Sequence, residues 1–95
     1  MQSPHGTSYA GLLQQLPPAD FIERIRRELI DTLAMVRDSA ALPWGDLTAA
    51  TLAELRFDSI TNWLPEAEAI ELRECFAREM ARLWAIAERD AQEAP

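Results

Sequence analysis

Apolar residues recur at spacings of 3 and 4 along the last third of this chain, at Ala69, Leu72, Phe76, Met80, Leu83 and Ala87. Such a stripe faces one side of an α-helix and cannot face one side of a strand. It also demands a second apolar surface, because a lone amphipathic helix leaves its stripe in water. Ile70, Cys75, Ala77 and Trp84 widen the stripe. The helix is expected to begin after Pro65, with Glu66 and Glu68 at its electropositive end, and to run to about Ala91.

The same period recurs upstream. Phe21, Ile25, Leu29, Leu33 and Val36, broadened by Ile22, Ile30 and Met35, predict a helix from Ala19 or Asp20 to about Asp38. Glu23–Arg27, Arg24–Glu28 and Arg27–Asp31 are spaced as i,i+4 pairs on its exposed face. Pro43 and Gly45 punctuate the connection that follows. A third helix is expected from Leu47 or Thr48 to Leu64, with Ala49, Ala53, Phe57, Ile60 and Leu64 on one stripe and Leu52 and Trp63 beside it. Asp46 and Thr48 are its N-cap candidates, and the capping-box spacing of Thr51 to Glu54 offers a later start. Pro65 breaks or kinks the chain. A short helix from Tyr9 to Leu16, stopped by Pro17-Pro18, completes the set. The expected fold is an all-α, small four-helix domain, with one short and three longer amphipathic helices packed as an antiparallel bundle. A flexible tail over 1–7, one helical domain over 8–92 and a frayed end over 93–95 are expected.

Charge narrows the function. Sixteen acidic residues against nine basic ones, every one of them Arg, give a net charge of -7. Such a surface repels phosphate backbones, so no nucleic-acid partner is expected. Arg24, Arg26 and Arg27 cluster, but Glu23, Glu28 and Asp31 interleave with them. No apolar run approaches the roughly 20 residues of a membrane span, so no membrane role is expected. The start of the chain has neither the basic nor the apolar region of a signal peptide. The single cysteine, Cys75, excludes an internal disulfide and fits the cytoplasm. A basic complement made wholly of Arg suggests a GC-rich bacterial source.

Catalytic and metal sets are sparse. His5 has no ligand partner one turn away, and Cys75 has no His nearby in sequence. Glu66, Glu68, Glu71 and Glu74 lack the Glu-x-x-His partner of a carboxylate-bridged metal site. No metal or cofactor is expected.

One local pattern points elsewhere. The stretch Leu52-Ala53-Glu54-Leu55-Arg56-Phe57-Asp58-Ser59-Ile60-Thr61 resembles the modification site of acyl and peptidyl carrier proteins. In that family an Asp-Ser pair opens the second helix. The resemblance implies a phosphopantetheine arm on the Ser59 hydroxyl beside Asp58, and acidic helix faces read by partner enzymes. It covers about ten residues. Arg56 stands where the family usually has Gly, and Pro65 follows six residues after Ser59.

The apolar stripes of so short a chain favour the main reading, with the carrier as its alternative: a non-catalytic protein-interaction module that serves as an accessory, adaptor or regulatory subunit. Trp44, Phe76, Met80, Leu83 and Trp84 are its expected partner-binding residues, since large aromatic and apolar side chains dominate interface energetics. A homodimer is the expected default, because two-fold association is the commonest oligomer.

Overall fold

A computed structural model describes residues 18–93. They form three helices, α1 (Phe21–Asp38), α2 (Leu47–Thr61) and α3 (Glu66–Glu93), and no strand. The class is all-α, as the periodicities predict. The helix count among the described residues is three rather than four. The expected helix over 9–16, the tail over 1–7 and His5 lie outside them.

Each boundary has a local cause. Pro18 precedes α1, and its carbonyl accepts from Phe21 N at 2.9 Å. Ser39 ends α1 by turning extended, and its hydroxyl donates to the Met35 carbonyl at 2.7 Å. Asp46 caps α2, its carboxylate accepting from Ala49 N at 2.7 Å. The later start offered by the capping box is therefore not used, and the Thr51 hydroxyl donates to the Leu47 carbonyl inside the helix. α2 stops at Thr61, short of the expected Leu64. Trp63 N donates to Ile60 O and Leu64 N to Thr61 O in a tight turn. Pro65 therefore separates two helices, because its ring disfavours helical backbone at Leu64. α3 continues through Glu93, two residues past the expected end at Ala91.

Cross-helix contacts give the helix directions. Arg56 on α2 reaches Glu28 on α1, and the Trp63 ring meets the Phe21 ring edge-on at 5.1 Å. Sequence number falls on one helix as it rises on the other, so α1 and α2 are antiparallel. Glu54 lies beside Trp84 and Thr61 beside Arg73, so α2 and α3 are antiparallel too. α1 and α3 are consequently parallel, with Arg26 at Glu68 and Val36 at Arg82.

The core lies where the three stripes meet. Ile25, Leu29, Leu33 and Val36 come from α1, Phe57 from α2, Leu64 from the turn, and Ala69, Phe76, Met80 and Leu83 from α3. Phe57 and Phe76 stack with ring centroids 3.9 Å apart and planes nearly parallel. α1 and α3 bury the stripes expected of them, apart from Phe21, Leu72 and Ala87, which are half-buried. Ile30 and Met35 are exposed rather than part of the α1 stripe. α2 is rotated from its expected orientation. It buries Ala50, Phe57 and Thr61, leaves Ala49 and Ala53 half-buried, and exposes Leu52. At 28 residues α3 is about 42 Å long, against about 27 Å for the 18 residues of α1. Its last core residue is Leu83, and every residue from Glu88 to Glu93 is exposed.

Ion pairs tie the helices together. Arg26 bridges α1 and α3, with Nε and Nη2 donating to the two Glu68 carboxylate oxygens at 2.5 and 2.9 Å, and it also pairs with Glu23. Arg56 bridges α1 and α2 through two bonds to Glu28, at 2.6 and 2.8 Å. Hydrogen bonding from each guanidinium holds the Glu68 and Glu28 carboxyls below the ordinary carboxylate range. Glu28 thus pairs with Arg56 rather than Arg24, and Glu23 with Arg26 rather than Arg27.

Candidate interaction surface

The five residues expected to meet a partner separate into two groups. Phe76, Met80 and Leu83 lie within the core, and Leu83 has no exposed surface. In the isolated chain they have nothing to present to a partner. The stripe that signals a helix-pairing seam in the sequence pairs with this chain's own α1 and α2. Trp44 and Trp84 are half-buried and pack on the outside of that core. The Trp84 indole N–H donates to Glu54 Oε1 at 2.8 Å, so its polar edge is satisfied within the chain.

The most exposed large apolar side chains lie on α2 instead, although Ile30 and Met35 on α1, Trp63 in the turn and Ile70 on α3 are exposed as well. Leu47, Leu52 and Leu55 are 61%, 60% and 59% exposed. A helical wheel puts the buried residues Ala50, Phe57 and Thr61 on one side. Thr48, Leu52, Leu55, Ser59 and Asn62 fall on the opposite side, and all five are exposed. None of them is charged, and the stripe is bordered by Asp58 on one side and Arg56 on the other. The cause is the composition of α2, whose three charges sit at Glu54, Arg56 and Asp58. Glu54 turns to Trp84 and Arg56 to Glu28, so neither serves the outer face. The sequence holds the signal for these leucines in the spacing of Leu52 and Leu55. It is obscured because α2 carries two apolar faces, and one of them is mixed with hydroxyls.

A shallow groove between α1 and α2, about 160 Å³, is lined by Leu29, Met35, Trp44, Phe57 and Ile60. Arg56 and Glu28 stand at its wall. It is apolar at its base and holds no cluster of titratable groups that would do chemistry.

Ser59 and Asp58 are both exposed, in the last turn of α2. The carrier resemblance implies the opposite end, where the Asp-Ser pair would open a helix. Cys75 is half-buried, and its sulfur accepts from Arg78 Nη2 at 3.4 Å. Among the described residues no three His, Cys, Asp or Glu side chains gather as metal ligands would, and no helix is long and apolar enough to cross a membrane.

No protein-family model, curated protein or solved structure matches this chain.

Proposed function

We propose that this chain is a non-catalytic protein-interaction module, an accessory, adaptor or regulatory subunit, and that it binds through the outer face of α2. One observation carries the reading. Leu52 and Leu55 stand about 60% exposed together on the outer face of α2, with Leu47 equally exposed at the helix start, while the chain's core closes without them. Exposed apolar side chains scattered singly are ordinary, whereas a neighbouring pair on one uncharged helix face suits a contact surface. The face is shaped as one helix offers itself to another, so the partner surface is apolar and helical. The single Cys and the Arg-only basic complement extend the reading to a bacterial cytoplasm.

The experiment compares the full chain with its Leu52→Glu variant, each immobilised and exposed to bacterial lysate under quantitative mass spectrometry. Any captured protein is then purified and titrated against both by calorimetry. The reading requires a partner that binds the wild type and loses at least about tenfold affinity for the variant, or about 1.4 kcal/mol. Equal binding to both removes α2 from the interface.

The exposed Ser59 hydroxyl favours one competing reading, a carrier protein bearing phosphopantetheine at that oxygen. Intact mass after incubation with coenzyme A and a phosphopantetheinyl transferase tests it. A mass gain that disappears in Ser59→Ala establishes a carrier, and no gain removes the reading.

A further inference from the structure

The order of side chains along the exposed face of α2 is symmetric about the middle of the helix. Thr48, Leu52, Leu55 and Ser59 read hydroxyl, leucine, leucine, hydroxyl, at spacings of 4, 3 and 4. Asn62, just past the helix, continues the alternation with a spacing of 3. This is the spacing of a seam between two helices. It is a second seam, separate from the one α3 uses within the chain. The midpoint of the stripe falls between Ala53 and Glu54. The helix itself, Leu47–Thr61, is centred on Glu54, so stripe and helix share nearly the same centre.

We propose that this face pairs with the same face of a second copy, antiparallel, about a two-fold axis passing between Ala53 and Glu54. The inference rests on the interaction reading above and names the partner. In such a pair Leu52 meets Leu55 of the other copy and Thr48 meets its Ser59, each contact made twice. Two apolar layers then lie at the centre with hydroxyl pairs outside them, and each hydroxyl both donates and accepts. A contact in which residue i meets j while j meets i is what a two-fold interface requires. The full length of both α2 helices overlaps, because the axis lies at their middle.

Charge selects the face, and the helix dipoles select the orientation. Each copy carries a net charge of -7, so association is opposed wherever acids come together. The outer stripe of α2 carries no charge. The antiparallel pair opposes the two helix dipoles. A single 15-residue helix pair buries less than the roughly 1,600 Å² of a standard stable interface. The dimer is therefore weak and concentration-dependent. It tightens with salt, as screening relieves the repulsion between two acidic chains.

The test is sedimentation equilibrium of the full chain from micromolar to millimolar concentration, at low and high salt. The expected mass rises from 10.7 kDa toward twice that value, and rises further with salt. Leu55→Glu is expected to weaken self-association by at least about tenfold. Its far-UV circular dichroism is expected to be unchanged, because Leu55 lies outside the core. Orientation is read by oxidative cross-linking in a Cys75→Ala background. Thr48→Cys and Ser59→Cys chains are expected to link to each other when mixed, faster than either links to itself. A monomer at every concentration overturns the inference, as does a dimer indifferent to Leu55→Glu or one whose like positions cross-link fastest. A monomer that still binds a different partner through Leu52 overturns the second copy alone and leaves the interaction module standing.

Discussion

Arg82 Nη2 donates a 2.9 Å hydrogen bond to the carbonyl of Val36, in the last turn of α1, across the α1–α3 interface. Its Nη1 reaches the Ser39 carbonyl at 3.1 Å. The last carbonyls of a helix lack partners within that helix and carry its partial negative charge. One guanidinium from α3 thus joins the Ser39 N–H in satisfying the end of α1. Replacing Arg82 by Ala is expected to lower stability by about 1 kcal/mol, read as a reduced urea midpoint. Arg82→Lys recovers part of the loss, because an ammonium keeps the charge but loses the fork. An unchanged midpoint in Arg82→Ala would show that water caps α1 equally well.

Thr61 presents a different case, a polar side chain with no exposed surface. Its hydroxyl donates to the Asp58 carbonyl at 2.7 Å and accepts from Arg73 Nη1 at 3.0 Å. Thr61→Val keeps the shape and removes both bonds. The expected loss is about 1–2 kcal/mol by chemical denaturation, most of it from the partners left unsatisfied. Thr61→Ser retains the hydroxyl and is expected to fall between the two.

Leu83 separates core from surface. Leu83→Ala is expected to cost about 2–5 kcal/mol, because it opens a cavity against α1. Leu83→Glu is expected to abolish the cooperative thermal transition altogether, since it buries an unpaired charge. Were Leu83 a partner-facing residue, the Glu variant would melt like the wild type.

Acid weakens this fold through its two interhelical ion pairs. Glu28 and Glu68 have carboxyl groups held below their ordinary range by Arg56 and Arg26. A carboxylate whose folded pKa is depressed contributes stability that is fully present above its unfolded value, about 4.3. That contribution is lost as pH falls through the lowered folded value. Stability is therefore expected to fall with pH below about 4. In Glu68→Gln the slope of melting temperature against pH is expected to be shallower in that window and unchanged near neutrality. A parallel pair of curves would show that the Arg26 contact contributes nothing.

α1 and α3 were legible in the sequence because each carries one apolar stripe at helical spacing against a charged remainder. Asp46 and Ser39 mark boundaries with ordinary capping chemistry. α2 is less legible. Its leucines, alanines, Phe57 and Ile60 fall all around the helix, so spacing alone favoured Ala49 and Ala53 where the chain buries Ala50 and Thr61. A hydroxyl counts as polar in any hydropathy pattern, yet Thr61 is buried because the Arg73 side chain and the Asp58 carbonyl satisfy it. Core and surface are hard to tell apart in α3 for a related reason. Phe76, Met80 and Leu83 have the look of an interface stripe, and only packing shows that this chain supplies their partners. Ion-pair choices such as Glu28 with Arg56 depend on helices far apart in sequence, which i,i+4 spacing cannot register.

The parallel pair of α1 and α3 is held near one end by Arg26 on Glu68 and near the other by Arg82 on Val36 and Ser39. The two arginines come from different helices. Repeating apolar stripes can mesh again after a slide of one helical turn, about 5.4 Å, and so tolerate collapse in the wrong alignment. Such a slide takes both guanidinium groups off their acceptors at once. The arginines work as the two marks of a vernier, separating the native bundle from near-copies that bury almost the same apolar surface, and so widen the energy gap that lets a short, repetitive helical chain find one structure.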